Sequence, residues 1–214
     1  MNIVLFIGLG FLTGFTVKSI VNWLAINGFI INRKNIALEL MNSIAWAWSF
    51  SNLNSKESII FVLIFGVLSG LSFVDMYTFQ IPFIFIISGI IFSIMGIYFD
   101  VIHLSDAVWG VFVGSVIPFT IMGSLWLITK RQGMGYGDIQ LGFLLGAWLG
   151  PMRMAITLFC ASALSLLVWI ITSFFKGFNK DRAMPMAPYL SASAVGVFIG
   201  SFYYPDFFHL LVFQ

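Results

Sequence analysis

The sequence predicts an all-α, polytopic integral membrane helical bundle, and three observations predict it. Of 214 residues, 60% are hydrophobic and only 8% are charged, against roughly 25% charged in a soluble domain. The mean hydropathy is +1.04. The apolar residues fall in long runs without strand-like alternation, and a chain in lipid must satisfy its own backbone, which leaves helices or closed barrels. Helices follow. The single cysteine, Cys160, sits inside an apolar run, so neither a disulfide framework nor a cysteine-based zinc site can be built within this chain. It reads as a packing or lipid-facing residue.

Each run supports a helix in turn, given that a span needs about 20 mostly apolar residues. The first, residues 2–30, has no basic leading region and no small-residue cleavage pattern, so it reads as a retained span and not a removed signal peptide. The second, 36–50, is interrupted by polar residues. Runs at 58–75, 81–99 and 104–129 follow, then a short one at 138–151, and finally 154–175 and 188–204. About eight transmembrane helices are expected, with six or seven also compatible, in a single membrane-embedded domain over residues 1–214. The breaks fall at Asn32 to Asn35, Ser51 to Glu57, Met76 to Pro82, Asp100 to Ser105, Lys130 to Gly137, around Pro151, and Lys176 to Pro188.

The breaks also predict orientation, because short cytoplasmic loops are enriched in Lys and Arg. One alternate set holds Arg33, Lys34, Lys130, Arg131, Lys176, Lys180 and Arg182; the other holds only Lys56 and Arg153. The first set is expected to be cytoplasmic, with both termini outside if the helix count is eight. Two acids, Asp75 at the end of the third run and Asp138 at the start of the sixth, then share the cytoplasmic depth.

An acid beside lipid is costly enough to suggest function by default. Two carboxyls within hydrogen-bonding distance in a poorly solvated site cannot both ionise, so one keeps its proton while the other acts as base. Such a pair can activate water against an amide without metal or nucleophilic serine. Asp138 closes the stretch Gly133-Met134-Gly135-Tyr136-Gly137-Asp138, whose glycines permit unusual backbone and a close substrate approach. Glycine also supports close helix contact in membranes, and an Asp near a helix N-terminus is favoured as a cap. Asp75 lacks that excuse, because a negative charge at a helix C-terminus opposes the macrodipole.

Three blocks carry a resemblance to the type IV prepilin peptidases. Residues 133–150, GMGYGDIQLGFLLGAWLG, resemble the family's Gly-x-Gly-Asp segment and following helix; DMYTFQIP, Asp75 to Pro82, is similar to its first aspartate block; MPMAPYLSASA, Met184 to Ala194, resembles the entry to its last helix. With Gly10 to Gly14, the similarity reaches across almost the whole chain. The resemblance implies a membrane aspartic endopeptidase that removes a short basic leader from a prepilin or pseudopilin at the cytoplasmic face of the bacterial inner membrane. Asp75 and Asp138 would be its catalytic dyad, with Gly135, Gly137, Pro82 and the loop Met76 to Ile81 positioning substrate, and no metal required. The substrate's apolar helix would lie in the lipid bilayer. No nucleic acid is implied, and no oligomeric state.

Many bacterial members also N-methylate the new terminus with S-adenosylmethionine. Two departures weigh against that cofactor here. The cysteine-bearing zinc insertion of longer members is replaced by a short connection around Ile31 to Asn35, and the family's Gly-Ser-Phe-Leu-Asn stretch appears as Gly14-Phe15-Thr16-Val17-Lys18. Lys18 and Asn22, one turn apart, are read as a substrate contact or as a snorkelling lysine with a neighbouring amide. His103 and His209 fall on the expected outer side, away from both acids. Trp46, Trp48, Trp126, Trp148 and Trp169 read as interfacial anchors or packing residues. The presenilin group shares Gly-x-Gly-Asp but wants Tyr-Asp and Pro-Ala-Leu, where this chain has Val74-Asp75 and Ala187-Pro188-Tyr189. The preflagellin peptidases remain a neighbouring reading. From another class, a proton- or cation-coupled transporter could use the same two acids; it would be expected to show repeat symmetry, and none is evident.

Overall fold

A computed structural model describes residues 3–130, 135–178 and 183–210, without the side chains of 125, 129, 209 and 210. Its helices are α1 (Ile3–Leu24), α2 (Ala37–Asn52), α3 (Ser55–Thr78), α4 (Phe83–Tyr98), α5 (Leu104–Val111), α6 (Ile117–Thr129), α7 (Tyr136–Lys176), α8 (Ala187–Tyr203) and α9 (Pro205–Leu210). A π-helical turn, Phe112–Val116, joins α5 to α6. There is no strand among the described residues. Four helical stretches are long and apolar enough to cross a membrane: Ile3–Leu24, Ser55–Thr78, Leu104–Ile128 and Tyr136–Lys176. α4 is apolar but shorter, and α2 and α8, at 16 and 17 residues, also fall short of a full span of about 20.

α7 counts for more than one run. Its 41 residues would extend about 60 Å if straight, twice the hydrocarbon thickness. Gly150 breaks it with φ 77° and ψ 174°, a region essentially reserved for glycine. Pro151 follows and removes a backbone donor. The expected break at Pro151 is therefore present, one residue earlier, and separates segments 136–149 and 151–176.

The chain divides into two compact units, Met1–His103 and Leu104–Gln214. In the first, α3 is the central helix. Asn54 caps it by accepting the Glu57 N–H at 3.0 Å, and Ile60, Phe61, Ile64, Leu68 and Leu71 on it are essentially inaccessible. Gly10 and Gly14 bring α1 onto the backbone of α2 at Ser43 and Glu39, where an added Cβ would collide. Trp48 packs on Phe61 at 5.3 Å. In the second unit, Gly110 and Gly114 meet Gly142 and Gly146 of α7 with no room for a Cβ on any of them. Close backbone approach of this kind is how membrane helices associate without a hydrophobic drive between them. Trp148 of α7 stacks on Phe198 of α8 at 5.0 Å. Trp23, Ile128 and Phe174 point outward at 76%, 81% and 87% exposure, which suits side chains whose solvent is lipid.

Candidate active site

Asp75 sits one turn before the end of α3, not at its last residue. Its backbone carbonyl accepts the Phe79 N–H at 2.9 Å, and Phe79 takes a left-handed conformation, φ 53°, that stops the helix. Its side chain is only 5% exposed, in the helical half where the macrodipole disfavours an anion. The chain then turns through Gln80 and Ile81 to Pro82, the buried N-cap of α4, whose carbonyl accepts the Phe85 N–H at 3.1 Å. Proline fits there because it has no N–H to leave unsatisfied. Asp75 and Pro82 thus bracket one tight turn, flanked by the exposed side chains of Met76, Tyr77 and Phe79.

Asp138 is the third residue of α7. Gly135 is the N-cap, φ −75° and ψ 145°; its carbonyl accepts the Asp138 N–H at 3.1 Å, and its own N–H donates to Asp138 Oδ2 at 3.2 Å. The carboxylate folds back over the helix start, where the macrodipole favours negative charge. Glycine at 135 leaves the carboxylate this place unstrained: a Cβ there would stand 3.2 Å from Oδ2, a tight contact. Gly137 completes the first turn, half-buried, as is Asp138 itself. Gly133, Arg131, Lys180 and Arg182 lie outside the described residues.

Beside this helix start a cavity of about 530 Å³ is lined by Phe119, Met122, Gly123, Trp126, Lys130 and Tyr136. The Lys130 ammonium lies over the Trp126 ring, 4.9 Å from its centroid. The volume is within the range of ligand pockets. Among the described residues no cluster of three or more His, Cys, Asp or Glu side chains could hold a metal ion.

The structure corrects one sequence expectation. Lys18 does not snorkel; its side chain is 7% exposed and its ammonium donates to Glu39 Oε1 at 2.9 Å and to the carbonyls of Asn35 and Arg33 at 2.6 and 3.2 Å. A buried ammonium with three acceptors is better placed than one stretched to the interface, and Glu39 supplies the countercharge. Glu39 was missed because a lone acid in a polar-interrupted run carries no signal of a partner 21 residues away.

Residues 59–171 match the Type IV leader peptidase family. A prepilin leader peptidase/N-methyltransferase from Pseudomonas putida is 32% identical over 173 residues, 80% of this chain and 59% of that protein. The protein of the same name from Aeromonas salmonicida is 30% identical over 134 residues, 61% of this chain and 45% of its own length. That from Dichelobacter nodosus is 27% identical over 180 residues, covering 80% and 62%. The chain thus spans about half to three-fifths of the length of these relatives. No solved structure matches it. The family match takes in Asp75, Pro82, Gly135, Gly137 and Asp138 together, on a multi-pass helical scaffold, and the chain belongs to the type IV leader peptidase family.

Proposed function

We propose that this protein is a membrane aspartic endopeptidase that removes the basic leader of a type IV prepilin or pseudopilin, with Asp75 and Asp138 as its catalytic acids and both units working as one peptidase domain. The observation that carries the reading is Asp75. A carboxyl 5% exposed near the C-terminal end of an apolar helix is costly there on both solvation and dipole grounds. Asp138 has a capping role on local grounds, so its catalytic assignment rests on the family and on its being the second acid of the pair.

In this reaction one carboxylate takes a proton from water as the water oxygen bonds to the scissile carbonyl carbon. The other, protonated, donates a hydrogen bond to the carbonyl oxygen. Collapse of the tetrahedral intermediate breaks the C–N bond, and the leaving amine takes up the proton that the first carboxyl drew from water, which regenerates the carboxylate. The excess of Lys and Arg in one set of loops supports a cytoplasmic-face reaction in the bacterial inner membrane. The relatives' name supports S-adenosylmethionine-dependent N-methylation as a second activity, against which stand Lys18 at the family's asparagine position and an α1–α2 connection without the cysteine-bearing insertion of longer members.

The test reconstitutes the protein in liposomes with a prepilin and compares it with Asp75→Asn and Asp138→Asn. Both variants should fold and lose cleavage by at least about a hundredfold, the scale of removing an acid–base group. Near-normal cleavage by either would overturn the two-acid mechanism. Following a labelled methyl group from S-adenosylmethionine to the mature N-terminus decides the second activity.

A further inference from the structure

The connection from α1 to α2 is longer than two adjacent helices need, since such links usually take roughly 2–8 residues. It is also tied down with unusual care. Asn22 pairs with Ile31 as a strand would: its Oδ1 accepts the Ile31 N–H at 2.6 Å and its Nδ2 donates to the Ile31 carbonyl at 3.2 Å. One turn earlier on α1, the Lys18 ammonium holds the carbonyls of Arg33 and Asn35. Four backbone groups of the connection are thus fixed by two side chains.

This clamp is expensive. Burying an ammonium and a carboxylate carries a large desolvation penalty before their attraction is counted, and an apolar pair of the same volume is often as stable or better. Glu39 Oε2 is moreover buried with no hydrogen-bond partner among the described residues. Stability alone does not explain retaining such a pair. What it secures is the position of the connection, whose Phe29 ring stacks on Tyr77 at 4.7 Å with the planes 17° apart. Tyr77 lies two residues beyond Asp75, on the last turn of α3, and is 57% exposed; Ile30 beside it is 63% exposed. An aromatic shelf therefore stands at the same helix end as the buried acid.

We propose that the segment 25–36 is a substrate-positioning strap, held by Lys18 and Asn22, whose Phe29–Tyr77 ring pair receives an apolar side chain of the peptide entering at Asp75. This rests on the peptidase reading. The occupant is an extended peptide segment close to the scissile bond, since the shelf is within a turn of a proposed catalytic acid and offers flat apolar surface with exposed edges. Lys18 and Asn22 are positioning residues, acting through the strap.

The experiment uses the full chain in liposomes with a prepilin. Phe29→Ala should raise KM about tenfold, with kcat per folded enzyme within about twofold. Lys18→Met leaves Glu39 unpaired and endangers folding, so the paired change Lys18→Met with Glu39→Met, which removes both charges, is the decisive variant; it should fold and show the same KM rise. Lys18→Arg, which keeps a buried donor, should restore most of the affinity. An unchanged KM in the folded Phe29→Ala and paired variants would overturn the strap. Independently of catalysis, p-benzoylphenylalanine at position 29 in the Asp75→Asn background should photocross-link to substrate residues flanking the cut site. Substrate that co-purifies with this protein but gives no adduct from position 29 would equally overturn it. Cleavage surviving in Asp75→Asn would instead count against the catalytic assignment, while the cross-link still reports on the strap.

Discussion

At Asp138 one carboxylate carries a cap and, in the proposed reaction, a catalytic role, and the two are separable by substitution. Asn keeps an oxygen able to accept the Gly135 N–H, so Asp138→Asn should abolish cleavage with stability changed by less than about 0.5 kcal/mol. Asp138→Ala removes the acceptor as well and should cost a further ~1 kcal/mol, read by thermal unfolding in detergent. Gly135→Ala pushes against the far end of the same carboxylate; it should leave the helix formed but lower kcat about tenfold or more through misplaced acid. Since the proposed dyad needs one ionised and one protonated carboxyl, the cleavage rate should be bell-shaped in pH. It falls at low pH as the base takes a proton, and at high pH as the acid loses one; a rate that rises monotonically to a plateau contradicts the paired mechanism. Both candidate acids stand out in the sequence because charge is so scarce. The bond from Gly135 does not, because Gly-x-Gly-Asp is equally compatible with a loop that leaves the carboxylate free. The snorkelling reading of Lys18 fails for a related reason: hydropathy along α1 reports that a lysine is out of place, not what crosses the bundle to meet it.

At the scale of elements, the breaks were more legible than the contacts. Pro151 announced the break in α7, whereas the work is done by Gly150 in a backbone region other residues resist. Gly150→Ala should therefore cost about 1–3 kcal/mol, measured as a loss of thermal stability, while the same change at exposed Gly196, which has open space around it, should cost little. The facing glycines of α5, the π turn and α7 make a sharper case. Gly146→Leu drives a side chain into the backbone at Gly110 and should destabilise by about 1–3 kcal/mol or more, with reduced folded yield in the membrane. A fold unaffected by that change would mean the α5–α7 contact is not formed as described. The sequence shows these glycines but not their partners, since an i, i+4 spacing marks a face without saying what lies against it. The π-helical turn at Phe112–Val116 has one sequence signal, Pro118, which has no N–H to donate to the Gly114 carbonyl one turn back.

For the molecule as a whole, orientation is the open quantity that a labelling experiment decides. With Cys160 replaced by serine, a cysteine at Lys34 should react with an impermeant thiol reagent only from the cytoplasmic side, and one at Lys56 only from the other; the reverse pattern would move the proposed active site to the opposite face. The membrane class, the helix order and the two candidate acids were determined by sequence alone, because each depends on a property summed or counted along the chain: apolar length, charge scarcity, loop charge, glycine and proline punctuation. Only the tertiary structure decided that Lys18 is buried against Glu39, that the α1–α2 connection is clamped and carries Phe29 to Tyr77, and that glycine faces glycine across α5 and α7. Those facts are pairings through space between residues on different elements, and periodicity along one helix holds no information about which side chain of another completes it.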